Sequence, residues 1–274
     1  MSRNARAIVL SGNGTNCEIE TAHACRGAGF EQVDIVTIWE LIAGKKTILD
    51  YDLLCLPGGF LDGDDLGSAK AQANRLLHST VKKTGQQLFG QFLSFINSGK
   101  LLLGICNGFQ LMVKLGLLPG FDKIDFRQTV TLAFNDSGRF EDRWVWLSSN
   151  PLSPCIFTKG VDTLYLPVRH GEGKFIAENN ELLGRFVIDN LVVFSYIDPA
   201  TRQPTMSYPD NPNGSQRAIA GICDPTGRIF GLMPHPEAYT HKTNHPRWTR
   251  EKLPDEGMGC VIFNNAYSYV KHQL

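Results

Sequence analysis

The sequence predicts an α/β domain: a mostly parallel central sheet flanked by helices, with β-rich additions in its second half. Three features carry this. Near-continuous apolar runs alternate with helical spacing over the first 120 or so residues, as expected of parallel strands buried on both faces. Glycine and proline cluster at the ends of those runs. After about residue 125 the runs become shorter and more closely spaced.

Ala7-Ile8-Val9-Leu10 reads as the first strand, and Gly12-Asn13-Gly14-Thr15-Asn16 as a loop into a helix ending near Gly27. A second strand spans Val33 to Ile38 and a third Tyr51 to Leu56, stopped by Pro57-Gly58-Gly59. That triplet forces a tight turn and lets backbone approach a ligand. Leu88, Phe89, Phe92, Leu93 and Ile96 fall at helical spacing, with Gly99 at the C-terminal cap position, before a fourth strand at Leu101–Ile105. Short strands are then expected at 128–133, 143–147, 163–167 and 191–196, with a hairpin from Ala218 to Leu232 around Asp224-Pro225-Thr226-Gly227. The 274 residues are expected to form one domain spanning 1–274, without repeats or linkers.

Composition excludes several classes of function. Lys and Arg total 27 against 27 Asp and Glu, so no electrostatic footprint marks a nucleic-acid or anionic-membrane partner. No apolar run approaches a membrane span or a signal segment, and a cytoplasmic location is expected. Seven cysteines without C-x-x-C spacing read as thiols, with Cys55 and Cys223 in the core. Cys17, Cys25, Cys155 and Cys260 receive no role. No metal site is expected: His235, His241 and His245 are set around Pro246 in loop-like sequence. Gly12-Asn13-Gly14 begins like a dinucleotide fingerprint, but Cys17 stands at its third glycine position.

Gly104-Ile105-Cys106-Asn107-Gly108 has the form of a nucleophile elbow with cysteine in place of serine. A chain that leaves a strand and enters a helix within one residue needs small neighbours and exposes the residue at the tip. Further on, Pro234 and Pro236 bracket His235 in Met233-Pro234-His235-Pro236-Glu237. The prolines are expected to hold this segment extended, presenting His235 and Glu237 to one side. A cysteine nucleophile needs a base, and the base a group that fixes its tautomer, so Cys106, His235 and Glu237 form a candidate catalytic set. From these residues alone, a cysteine-elbow hydrolase and a non-catalytic regulatory module are alternatives.

The segments Gly104–Gln110, Pro57–Phe60, His170-Gly171-Glu172-Gly173-Lys174-Phe175 and Met233–Glu237 together resemble the class I glutamine amidotransferases, whose fold is flavodoxin-like. Asn211-Pro212-Asn213-Gly214-Ser215 ahead of Ala218-Ile219-Ala220-Gly221 is similar to one branch, the glutaminases serving phosphoribosylformylglycinamidine synthase in purine biosynthesis. Another amidotransferase with a different acceptor is the alternative. The resemblance implies glutamine hydrolysis by Cys106, with His235 as acid and base and Glu237 holding it. It further implies an oxyanion hole at the backbone of Gly59 and Asn107, and glutamine contacts at Gln110, Gly58, His170 and Gly171.

Ammonia in neutral water is mostly ammonium, so the resemblance also implies a partner that uses it directly. This would be a large synthetase subunit, with a third small subunit in some assemblies. No phosphate-binding loop G-x-x-x-x-G-K-[ST] occurs here, so no cofactor is expected on this chain, and ATP and magnesium are expected on the partner. Asn135 to Arg143 is similar to long single-chain relatives. Two departures stand out. Leu61-Asp62-Gly63-Asp64 replaces the Ser-Tyr-Gly-Asp usual after Pro-Gly-Gly-Phe, and residues 72–98 and 239–257 look like insertions, suited to docking a partner or to solvated decoration.

Overall fold

A computed structural model describes residues 4–121 and 126–274. The first half alternates strands and helices as expected, with α2 and α3 in addition: β1 (Arg6–Ser11), α1 (Glu18–Ala28), β2 (Gln32–Thr37), α2 (Ile38–Ala43), β3 (Leu53–Leu56), α3 (Lys70–His78), α4 (Leu88–Asn97), β4 (Leu101–Ile105) and α5 (Asn107–Lys114). The second half contains β5 (Val130–Phe134), β6 (Glu141–Ser149), β7 (Thr163–His170), β8 (Glu172–Ala177), α6 (Asn180–Ile188), β9 (Val192–Tyr196), β10 (Ile219–Cys223), β11 (Ile229–Leu232) and α7 (Cys260–Gln273).

Nine strands form one sheet in the order β2-β1-β3-β4-β11-β10-β9-β6-β7. The first five are mutually parallel, and from β11 outward each neighbour is antiparallel. The β-rich second half therefore extends the central sheet. Among the described residues only β5 and β8 leave it, pairing as a two-stranded sheet. Every residue of β3, β4, β10 and β11 is buried, as continuous apolar strands require when both faces are covered. Helices α1 and α7 pack together, as do α3, α4 and α5. Cys55 and Cys223 are in the core, and all seven cysteines are free thiols.

Several elements differ from the sequence reading. Ile38 opens a helix instead of closing β2, because Thr37 and Glu40 form a capping box: Thr37 Oγ1 accepts from Glu40 N at 3.2 Å, and Glu40 Oε2 accepts from Thr37 N at 2.9 Å. Helix α6 starts at an Asn179 cap that accepts from Leu182 N, and α7 buries Ile262, Phe263, Ala266 and Val270 along a largely polar sequence. Residues 72–98 hold most of α3 and all of α4. The 239–257 stretch is irregular, with a bridge between His241 and Glu256. His245 lies within a cluster of Trp144, Tyr165 and Tyr239 rings, away from His235's polar surroundings.

Candidate active site

Strand order decides what shares an edge. β4 lies between β3 and β11, all three parallel, so the loops at Pro57-Gly58-Gly59, Cys106 and Met233–Glu237 leave neighbouring carboxyl ends. Leu232 pairs with Ile105, and the amide of Cys106 donates to Leu232 O at 2.8 Å. That bond fixes the elbow to the strand that delivers His235.

Cys106 has φ 51° and ψ −105°, a region disfavoured for an L-residue and held here by its surroundings. The flanking glycines are needed for close approach. A Cβ on Gly108 would lie 1.8 Å from Leu56 O, and one on Gly104 would lie 2.2 Å from Met112 Sδ. The thiol is buried, with Sγ 3.6 Å from Arg169 O.

His235 and Glu237 are buried together, their Nδ1 and Oε1 atoms 2.6 Å apart. The segment is not extended throughout. His235 is, with φ −105° and ψ 91°, but Pro236–Ala238 forms a 3-10 turn that folds Glu237 back onto the ring. Burial opposes charge on the imidazole, but the Glu237 carboxylate and then Cys106 outweigh it, raising the His235 pKa well above its ordinary value. Among the described residues His235 Nε2 makes no hydrogen bond of ordinary geometry, as is common in resting sites where such bonds tighten only with substrate.

A cavity of about 130 Å³ opens at the sulfur, lined by Gly59, Cys106, Gln110, His170, Gly171 and Glu172, with the exposed rings of Phe60, Phe134 and Phe140 at its walls. Its size suits a small metabolite, below the ~300 Å³ at which drug-sized pockets begin. Larger cavities of about 360 and 510 Å³ lie elsewhere and present neither cysteine nor histidine.

Two backbone amides near Cys106 lack a partner in the local backbone pattern. Asn107 N–H opens α5, where a helix has no internal acceptor for it. Gly59 pairs with Thr15, and the bonds on either side run from Phe60 N to Gly14 O (2.8 Å) and from Asn16 N to Gly58 O (3.3 Å). In that pattern the central pair exchanges no bond, so Gly59 N–H points away from Thr15.

The remaining expected residues have definite places. Gly58 packs beneath the base: a Cβ there would lie 2.7 Å from His235 Cε1, and the cavity is lined by Gly59 instead. Gln110 faces the cavity, but its side chain is held, donating to Glu172 O at 2.5 Å and accepting from Asn107 Nδ2 at 2.9 Å. His170 O accepts from Asn135 Nδ2, Gly171 O accepts from Asn135 N, and His170 Nδ1 lies 3.1 Å from Asn135 Oδ1. Burial drives the His170 pKa down to about 3, so its ring is neutral near pH 7.

Sequence reasoning missed Cys17. Its Sγ lies 3.9 Å from His235 Nδ1, and burial raises its pKa. Its position just after β1, the strand beside β3, was the available signal. Cys17, His235 and Glu237 place one ligand-type atom each within 4.8 Å of one another. The 2.6 Å His–Glu contact is a hydrogen bond, shorter than two donors on one tetrahedral ion would be. The Asn107 side chain was also missed: its Oδ1 accepts from Leu61 N at 3.0 Å and its Nδ2 donates to Asp64 Oδ2 at 3.0 Å.

A strained cysteine at a helix N-terminus beside a buried histidine–carboxylate pair on the adjacent strand end is an arrangement that suits cysteine-dependent acyl transfer. Residues 4–270 match the family described as the CobB/CobQ-like glutamine amidotransferase domain. The chain is 43% identical over 266 residues to phosphoribosylformylglycinamidine synthase subunit PurQ of Dehalococcoides mccartyi, covering 97% of this chain and 98% of that one. It is 45% identical over 275 residues to a PurQ subunit of Methanococcus maripaludis, covering 96% and 97%. Among solved structures it is similar to a chain of PurLQS from Thermotoga maritima, with TM-score 0.69 and 26% identity over 98% of this chain and 100% of that one. The chain belongs to the glutamine amidotransferases and, within them, to the PurQ subunit family.

Proposed function

We propose that this chain hydrolyses glutamine and passes the ammonia to a synthetase partner, which uses ATP to convert formylglycinamide ribonucleotide to formylglycinamidine ribonucleotide. The full-length similarity to PurQ subunits is the observation that carries this reading. ATP and magnesium belong to the partner, and the setting is the cytoplasm. Among the described residues no helix is long and apolar enough to cross a membrane.

The chemistry follows from the site. The Cys106 thiolate adds to the side-chain amide carbon of glutamine, and the carbonyl oxygen becomes an oxyanion facing Gly59 N–H and Asn107 N–H. Imidazolium at His235 protonates the leaving nitrogen as the C–N bond breaks, releasing ammonia and leaving a γ-glutamyl thioester. Neutral His235 then takes a proton from water, hydroxide adds to the thioester, and the thiolate departs to leave glutamate. Glu237 keeps the proton on Nδ1, so that Nε2 does the transfer. Gln110, His170 and Gly171 shape the pocket wall that receives the glutamine, and Gly58 seats the base.

The test is synthesis by the complex of this chain with its synthetase, fed either glutamine or an ammonium salt. Cys106→Ala is expected to abolish the glutamine-dependent reaction and leave the ammonia-dependent one intact. Glutamine-dependent synthesis at the wild-type rate in Cys106→Ala would overturn the reading.

A further inference from the structure

The segment after Gly59 is unusually contorted. Asp62, Asp64 and Ala69 have φ of 54°, 54° and 58°, left-handed values that L-residues with side chains rarely adopt, and Gly63 and Gly67 are left-handed too. Such a stretch keeps its shape only where its surroundings over-determine it. The amide of Phe60 donates to Gly14 O and that of Asp62 to Asn13 O, both at 2.8 Å, while Asp64 Oδ1 accepts from Ala69 N at 2.8 Å.

Asn107 holds this segment through Leu61 N and Asp64 Oδ2, and a further anchor comes from α3. Arg75, on α3, donates from Nη1 to Asp62 Oδ2 at 2.6 Å and to Gln72 Oε1 at 2.8 Å. Its guanidinium lies 4.9 Å from the Trp39 ring centre, so the cation is stacked as well as paired. The Arg75 and Asp62 side chains are only 25% and 14% exposed, which protects the pair from much of the screening of an open surface contact. Gln72 is itself buried, with Nε2 against Gly12 at the end of β1. The pair thus ties α3 to the loop that follows Gly59.

We propose that Arg75 is a positioning residue for glutamine hydrolysis: through Asp62 it clamps the loop that follows Gly59, and so holds the Gly59 amide toward the oxyanion. This rests on the proposed glutaminase reading. The clamp lies wholly within this chain, so it acts before any partner docks. It touches neither glutamine nor Cys106, and its effect belongs to the transition state, where the oxyanion exists, and not to substrate binding.

The experiment measures glutaminase kinetics of the full chain, alone and with its synthetase, for wild type, Arg75→Ala, Arg75→Lys, Asp62→Asn and the Cys106→Ala control. Cys106 alkylation by iodoacetamide and thermal unfolding are followed in parallel. Arg75→Ala is expected to lower kcat about tenfold, less than the ~10²-fold or more for losing an oxyanion donor outright, with KM for glutamine and the alkylation rate unchanged. Asp62→Asn, which leaves the stacking on Trp39, should repeat that pattern, and Arg75→Lys should recover part of kcat. Unchanged kcat in both Arg75→Ala and Asp62→Asn overturns the proposal. So does a kcat loss matched by slower alkylation and a lower melting temperature, because that marks general loosening of the fold. Absence of Cys106-dependent glutaminase in the wild-type complex instead overturns the parent reading.

Discussion

His235 Nδ1 and Glu237 Oε1 lie 2.6 Å apart in a fully buried pair, although only Pro236 separates the two residues. The 3-10 turn begun by Pro236 brings the carboxylate back to the ring that precedes it. The imidazole is thus oriented by its own loop, and the parallel pairing of β11 with β4 brings that loop beside the Cys106 elbow.

Glu237→Gln should therefore act on the base. With the carboxylate gone, burial is opposed by Cys106 and Cys17 without the largest raising influence, and the His235 pKa falls. We expect kcat to drop by roughly 10²–10⁴-fold, with the alkaline limb of the kcat/KM profile displaced to lower pH. The sign for stability follows the same shift. A raised folded-state pKa stabilises fully below the unfolded value of about 6.5, and that contribution fades as pH rises through the folded value. Denaturant titrations from pH 6 upward should show this decline in wild type and not in Glu237→Gln. A glutaminase pH profile identical to wild type would count against the pair.

Gly58→Ala tests placement alone. The added methyl would sit 2.7 Å from His235 Cε1 and 3.3 Å from Cys17 Sγ, so the imidazole must shift. A displacement near 1 Å at a catalytic group costs on the order of 10²-fold in rate. We expect a loss of that size in kcat with normal Cys106 alkylation. Wild-type kcat would show that the ring has room the structure does not display.

His170 should make acid destabilisation visible. Its folded pKa of about 3 lies below the unfolded value, so between the two the unfolded chain binds a proton that the folded chain refuses. Stability is then lost as pH falls below about 6.5, by roughly 2 kcal/mol at pH 5. His170→Gln, compared with wild type by urea unfolding at pH 7 and pH 5, should remove most of that difference. An equal pH 5 penalty in both proteins would assign it to other groups.

Two sets of glycines should respond in opposite directions to alanine. Gly108→Ala places Cβ 1.8 Å from the Leu56 carbonyl oxygen, with backbone on both sides, and should destabilise by about 3 kcal/mol or prevent folding. Gly90→Ala in α4 and Gly184→Ala in α6 meet nothing within 4 Å and should each stabilise by about 0.5–1 kcal/mol. Thermal melts of the three single variants decide this. A stabilised Gly108→Ala protein would contradict the close approach of α5 to β3.

Much of this protein was legible in its sequence because the signals are local. The apolar runs of β1, β3 and β4, the glycine spacing around Cys106 and the prolines around His235 each act within a few residues, through sterics and backbone restriction. They determined the fold class, the strand-to-helix elbow at Cys106 and the closeness of His235 and Glu237, while the family motifs supplied the chemistry to expect. Helices α3, α6 and α7 and strand β8 were missed because their burial patterns are short or diluted with polar residues, and packing stabilises them more than propensity does. Long-range pairing alone decided the rest. Strand order set β11 beside β4 and carried β9, β6 and β7 into the main sheet. It also brought Cys17 against His235, a contact between residues 218 apart in the chain. No local rule encodes such meetings, because they depend on which surfaces the whole chain can bury together.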